Sequence, residues 1–281
     1  MTLFREPPTD ASAMPAAQST TSPLPLDQAD GLRRLFAGRG CRVLALAANP
    51  HVAFGGLVLD RVAAVLAALG REVLVVDAAD SSPAAHELAR LDLAACIERV
   101  APRVAYLPAR GLPLAHVDTR GSSAAFIDAL QAAAPDAEVL LLHADAADLA
   151  RLLKRRAVRP LLLGADHPES IKHAYASCKL LVQRCQLMSY DLLLAASPLS
   201  PRAADIAASL GSCAEGFLGA ALRDWALIDP AGDPAEATDE ALARLLGAQL
   251  EIDETPALHG GAAAGVRAAS AEPNLYRPAF R

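Results

Sequence analysis

The chain contains little lysine. Most of its 26 basic residues are arginines, and the lysines are Lys154, Lys172 and Lys179. None of these precedes a Ser or Thr, and none lies in the first half of the chain. A phosphate loop of the GxxxxGK[ST] type needs that order, because the lysine neutralises phosphate charge and the hydroxyl binds Mg²⁺. The sequence therefore excludes a phosphate loop of this type.

Long apolar runs and an excess of positive charge are also missing. The apolar stretch 43–59 is interrupted by Asn49, Pro50 and His51, and the first 26 residues lack the apolar core of a signal peptide. The five cysteines have no CxxC spacing, and the net charge is -6. These absences argue against a membrane span, a disulfide framework and a broad nucleic-acid interface. We expect a cytoplasmic protein that does not bind nucleic acid and has weak or absent membrane contact.

Strand-length apolar runs alternate with longer amphipathic stretches along the chain. Several runs are apolar at consecutive positions, which is typical of parallel strands covered on both faces. Sustained alternation of this kind predicts an α/β fold with a doubly wound, mostly parallel sheet and helices on both faces. The predicted strands are 42–48, 72–77, 103–107, 138–143, 159–164, 190–196 and 223–229. The predicted helices are 57–69, 84–94, 122–134, 147–156, 169–186 and 201–216.

Composition divides the chain into four parts. Residues 1–26 are rich in Pro, Ser, Thr and Ala, which predicts a disordered leader. Residues 27–37 form a short predicted helix, residues 41–250 form the α/β domain, and residues 251–281 form a flexible tail. Ligands of a doubly wound sheet bind beyond the carboxyl ends of its strands, so the site is expected in the segments that follow them.

The short helix 27–37 has the pattern of a docking segment. Asp27 is a suitable N-cap, and Leu32, Leu35 and Phe36 share one face, whereas Arg33 and Arg34 project elsewhere. An amphipathic helix behind a flexible leader suits a groove on a partner protein. Packing against its own domain is an equally open alternative.

The sequence around this helix resembles the flagellar number regulators of the MinD/ParA family, the FlhG/FleN type. The pattern DQAxGLR, which here spans Asp27, Gln28, Gly31, Leu32 and Arg33, is similar to the segment by which these proteins stimulate a signal-recognition-particle-type GTPase of the FlhF type. The segment HPES at 167–170, with AYA at 174–176 and KLL at 179–181, resembles a later family motif. The resemblance implies this GTPase as partner, with flagellar switch proteins or a flagellar transcription regulator as further candidates.

The same resemblance shows what is missing from the family's nucleotide loop, KGGxGK[ST]. Pro50 replaces the signature lysine, Gly55 and Gly56 replace the second lysine and the Mg²⁺-binding hydroxyl, and Asn49 and His51 complete the degenerate loop. The family's Mg²⁺-orienting aspartate aligns with His143. We therefore predict a pseudo-ATPase without cofactor, no catalytic residues, and no ATP-driven dimerisation. The alternatives are an active ATPase that uses ATP and Mg²⁺, and an unrelated Rossmann-like small-molecule binder.

A remnant site is predicted where strand ends meet. Asp77 and His143 end two predicted strands, and His51 follows a third, so the three side chains are candidates to converge. A His/Asp metal site there is the less specific alternative, because the ligand spacing matches no known pattern. Ser81 and Ser82 are interpreted as helix caps, since no GxSxG context surrounds them.

Overall fold

The computed structural model describes residues 41–154, 156–232 and 239–252. In these residues one sheet of eight strands has the order β3-β4-β2-β5-β1-β6-β7-β8. All neighbouring strands pair in parallel except β3 and β4, which are antiparallel. The strands are β1 (Arg42–Ala47), β2 (Val73–Asp77), β3 (Glu98–Ala101), β4 (Val104–Pro108), β5 (Val139–Ala144), β6 (Leu161–Ala165), β7 (Ser189–Ala195) and β8 (Ala221–Ile228).

Helices cover both faces of the sheet. Phe126, Leu149 and Ala174 belong to a core on one face, whereas Leu66 and Leu245 belong to a second core on the other. The helices are α1 (Gly55–Ala68), α2 (Leu112–Ala115), α3 (Ala124–Ala133), α4 (Ala146–Leu152), α5 (Pro168–Cys185), α6 (Ala203–Leu218) and α7 (Glu240–Leu250). The predicted doubly wound sheet is confirmed, and β2 and β5 are buried at every position, as strands covered on two sides should be.

The strand order opens a crevice above the middle of the sheet. From β1 the chain passes through α1 to β2 on one side, and from β5 it passes through α4 to β6 on the other. The two connecting helices pack on opposite faces, α1 against one core and α4 against the other. Such a divergence of connections is where doubly wound folds bind their ligands.

Two sequence predictions of secondary structure were wrong. The predicted helix 84–94 is replaced by two short 3-10 turns, Glu87–Arg90 and Ala94–Cys96, and the edge strand β3 was not predicted. In the turn region Leu88 and Leu91 are exposed, so the apolar spacing there does not mark a buried helix face. Among the helices that the structure describes, none is long and apolar enough to span a bilayer.

Candidate functional site

A cleft opens at the carboxyl ends of β1, β2 and β5. It has a volume of ≈ 480 Å³, and one wall is the segment from Ala48 to Gly56, which joins β1 to α1. Asp77, Tyr106 and His143 line the opposite side. The cleft therefore occupies the place where the fold predicts a ligand.

Asp77 is the centre of a buried hydrogen-bond network in this cleft. Its side chain lies at the end of β2, directly opposite His143 in the register of β2 and β5. The Nδ1 of His143 is 2.7 Å from Oδ1 of Asp77, and the Tyr106 hydroxyl donates to Oδ2 at 3.2 Å. Ser82 Oγ also donates to Oδ1. Because a carboxylate only accepts, His143 donates from Nδ1–H to Asp77.

The electrostatics of this network follow from its burial. Burial by itself would raise the pKa of Asp77, but hydrogen bonds from His143 and Ser82 outweigh it, so the pKa of the carboxyl lies below its ordinary value. Burial and the Asp77 charge together raise the pKa of Tyr106 well above its usual range. The network therefore holds one fixed negative charge and a neutral phenol.

Asn49 fixes the shape of the loop after β1. It is buried, and its Nδ2 donates to the Leu163 carbonyl at 2.7 Å and to the Ser170 carbonyl at 2.9 Å. Nδ2 also lies 3.1 Å from Ser170 Oγ, and the Asn49 Oδ1 accepts from the backbone N–H of His51 at 3.1 Å. Ser170 Oγ in turn accepts from the N–H of Ala165. The side chain thus ties the loop to β6 and to the first turn of α5.

The loop ends in an unusual backbone conformation before α1. Phe54 has φ 61°, the left-handed region, and its side chain is 72% exposed. Gly55 and Gly56 begin α1, and a Cβ added to either would meet no atom within 4 Å. Space alone therefore does not require glycine at these two positions, since an alanine Cβ would fit at either.

The sequence grouped Asp77, His143 and His51 at one site, and the structure brings only the first two into contact. Asp77 and His143 are in contact, but His51 is exposed and its ring lies 5.8 Å from that of His173 on α5. Nowhere in the described residues do three His, Cys, Asp or Glu side chains form a group that could hold a metal ion. Asp77 and His143 both line the cleft, whereas His51 is not among the described residues that line it.

Three participants were missed or misassigned from the sequence. Ser82 was interpreted as a helix cap, whereas its hydroxyl donates to Asp77. Tyr106 lies within β4, and Asp60 lies on α1 and lines the cleft. Only the strand order, which places β4 and β5 on either side of β2, could have indicated Tyr106. The docking residues Asp27, Gln28, Gly31, Leu32, Arg33 and Leu35, the leader 1–26 and the tail from 253 lie outside the described residues.

Comparison by structure found similar proteins, whereas comparison by sequence found none. No protein-family model and no curated protein matches the sequence. A chain of the MinC:MinD cell division complex of Aquifex aeolicus matches with a TM-score of 0.51 and 12% identity, over 73% of this chain and 96% of that one. The MinD cell division protein of the same organism matches with a TM-score of 0.50 and 14% identity, over 73% and 97%. The chain has the fold of MinD.

The MinD-like fold is shared with an enzyme of another activity. Cobyrinic acid a,c-diamide synthase from Mycobacterium smegmatis, solved with a bound ATP analogue and magnesium, matches with a TM-score of 0.50 and 17% identity over 76% of this chain and 98% of that one. At these identities the match establishes the fold alone, since one fold hosts many functions. Function has to be argued from the cleft of the MinD-like sheet.

Proposed function

We propose that the protein is a non-hydrolysing regulator that acts through protein–protein contacts. The observation that carries this proposal is the charge of the cleft. Among the residues that the structure describes, its lining contains the carboxylates of Asp60 and Asp77 and neither Lys nor Arg. Catalysis of phosphoryl transfer depends on cations placed around the phosphates, and an arginine finger among them is worth about 10³–10⁵ in rate.

The start of α1 does not compensate for the missing cations. A helix N-terminus carries the equivalent of about half a positive charge. Asp77, whose pKa lies below its ordinary value, brings about one negative charge, and Asp60, whose pKa is raised by burial and by the Asp77 charge, is a second acidic group. The net field at the mouth of the cleft therefore disfavours a triphosphate. No acidic residue occupies the first turn of α1, so Asp60, one turn further along, and Asp77 set the sign of this field.

His143 occupies the position that the sequence resemblance assigns to an Mg²⁺-orienting aspartate. Its Nδ1–H is engaged by Asp77, and an imidazole does not replace a second carboxylate around Mg²⁺, which prefers oxygen ligands. The proposal therefore includes no catalytic residue and no ATP or Mg²⁺ cofactor. The competing proposal is an active ATPase, which would have to bind nucleotide despite the carboxylates that line the cleft.

The biological role is proposed from the sequence resemblance. The protein would regulate flagellar number or placement, with residues 27–35 docking to a signal-recognition-particle-type GTPase of the FlhF type. Flagellar switch proteins or a flagellar transcription regulator are the other proposed partners. Leu32 and Leu35 would enter the groove of the GTPase, since they share the apolar face of the segment.

A pull-down with the GTPase tests the docking role. The wild type should retain the GTPase, and the double variant Leu32→Ala, Leu35→Ala should retain at least about tenfold less, because two buried apolar anchors are truncated. Arg34→Ala is the matched control, since it changes the same segment off the apolar face, and it should retain the GTPase like the wild type. Equal retention of the GTPase by the wild type and the double variant would contradict the docking role.

A further inference from the structure

We propose that a second cavity, formed by α4, α5 and the turn before α3, binds a compact oligophosphate, of which inorganic diphosphate is the simplest. The cavity has a volume of ≈ 440 Å³ and shares no described lining residue with the cleft at the carboxyl ends of the strands. Its described lining contains the cations Arg120, Arg151, Lys154 and Arg184 and neither Asp nor Glu. This site is independent of the proposed regulatory function.

The four cationic side chains come from three separate segments of the chain. Arg120 lies in the turn before α3, and Arg184 lies in the last turn of α5. Arg151 lies in the last turn of α4, and Lys154 follows that helix. Guanidinium and ammonium groups donate hydrogen bonds and cannot accept them. A ligand of this cavity must therefore be an acceptor with negative charge.

The end of helix α4 does not account for these cations. Basic side chains are common in the last turn of a helix, where they can bond to its final carbonyl groups. In α4 these carbonyls have other partners: that of Arg151 accepts from the N–H of Ser123 at 3.0 Å, and that of Ala150 accepts from the Cys185 thiol at 3.3 Å. In the described part of the chain no basic side chain bonds to either carbonyl, so none of the four cations is needed as a cap there.

One cation of the cavity is free, and another holds two of its sides together. Arg184 is exposed and forms no hydrogen bond or ion pair with a described residue. Lys154 Nζ donates to the Arg120 carbonyl at 2.8 Å, which ties the end of α4 to the turn. Asp118 Oδ1 closes that turn by accepting from the N–H of Arg120 and from the N–H of Ser122, each at 2.8 Å. The positions of these cations are thus set before a ligand arrives.

The negative groups near the cavity do not outweigh its four cations. Asp148 accepts from Arg151, which engages one of the five N–H donors of that guanidinium. Asp118 is exposed, and its pKa is lowered first by the backbone N–H of Ser122 and also by the charge of Lys154. The C-terminal ends of α4 and α5 add about half a negative charge each. Positive charge therefore remains in excess.

An oligophosphate matches this lining better than a carboxylate or a nucleotide does. Phosphate oxygens point to several sides, so cations from three segments can reach them at once, and arginine can bind phosphate through two parallel hydrogen bonds. A carboxylate has only two oxygens in one plane. The uncharged part of the described lining is Gly, Ala and Leu, without an aromatic ring on which a base could stack. The volume of ≈ 440 Å³ is ordinary for a small-molecule site.

Calorimetric titration of the full chain with inorganic pyrophosphate tests the site, in about 0.15 M salt to screen unspecific attraction between exposed charges. The wild type should bind pyrophosphate. Arg184→Gln should weaken this binding at least about tenfold, because a charge-assisted hydrogen bond is lost. Arg184 is exposed and has no described partner, so the variant keeps the fold. Lys179→Gln is the matched control, since it removes one charge from the same helix outside the lining, and it should bind like the wild type.

Four outcomes would overturn the inference. The first is no binding of pyrophosphate by the wild type, and the second is equal weakening in Arg184→Gln and Lys179→Gln, which would indicate unspecific attraction to a charged surface. The third is binding of citrate, a probe of similar charge, as tight as that of pyrophosphate. The fourth is Arg184-dependent sedimentation with phosphatidylglycerol vesicles without binding of pyrophosphate, which would assign the cations to a lipid surface.

Discussion

Single polar side chains decide the geometry of the cleft. Asn49 pins the loop after β1 to β6 and α5, since its Nδ2 donates to the Leu163 and Ser170 carbonyls. Ser170 is itself fully buried. The segment HPES, which the sequence suggested as a family motif, thus has a local structural task in this chain: its serine anchors the loop.

Asn49→Ala should destabilise the protein by about 2–3 kcal/mol, because it leaves buried acceptors on Leu163 and Ser170 without their donor. Urea unfolding monitored by circular dichroism measures the change. His51→Ala is the matched control, since it removes an exposed side chain but keeps the backbone N–H that Asn49 binds. It should change the free energy of unfolding by less than about 0.5 kcal/mol. Equal effects of the two substitutions would contradict the anchoring role of Asn49.

The sequence predicted the contact partners of Asp77 only in part. That Asp77 and His143 end neighbouring strands follows from their position after apolar runs, because parallel strands bring their carboxyl ends to one edge. The loop residues were harder to place. His51 and Ser82 lie in turns whose direction depends on hydrogen bonds to distant residues, as Asn49 bonds to Ser170 across 121 positions. Such contacts leave no periodic signal in the sequence.

At the scale of elements, prediction succeeded where burial imposed a pattern. The strands of the sheet centre were predicted to within a few residues, because both of their faces are apolar. The edge strand β3 was missed since all four of its residues are exposed and carry no apolar alternation. The predicted helix 84–94 was wrong for the opposite reason, because Leu88 and Leu91 are apolar in sequence yet exposed in the fold.

Helix α7 is held in the domain by buried leucines and by a buried hydrogen bond. Leu242, Leu245 and Leu246 are buried against the core that α1 also covers, and Gln249 Nε2 donates to the fully buried Asp191 at 2.6 Å. Burial raises the pKa of Asp191 despite the opposing charge of Arg159, 2.8 Å away. The apolar face of α7 is thus buried within the domain.

Leu245→Ala should therefore lower the free energy of unfolding by about 2–5 kcal/mol, since it creates a cavity at a fully buried position. Arg244→Ala, one residue earlier, is the matched control. Its exposed ion pair with Asp224 is worth at most about 1 kcal/mol. Chemical denaturation of both variants gives the two values. A Leu245→Ala effect as small as that of Arg244→Ala would show that α7 does not contribute to the core.

At the scale of the whole molecule, the chain has the fold of MinD. Its eight-stranded sheet carries a core on each face, and the cleft opens at the carboxyl ends of β1, β2 and β5. In the family that the sequence resembles, ATP lies between two subunits and the signature lysine reaches the partner's phosphates. Here Pro50 stands in that position, and the cleft behind it is lined by carboxylates.

This difference leads to a prediction about association. A ligand shifts a monomer–dimer equilibrium only if it binds the two states with different affinity. A ligand that binds only the dimer, at 100 times its Kd, stabilises the dimer by about 2.7 kcal/mol per site. A ligand that does not bind leaves the equilibrium unchanged. We expect a monomer whose association state is the same with and without Mg-ATP or Mg-ADP. Light scattering coupled to gel filtration, at tens of micromolar protein, measures it. If the monomer became a dimer only when ATP was added, the segment from Asn49 to Gly56 would still bind nucleotide, and the pseudo-ATPase proposal would have to be abandoned.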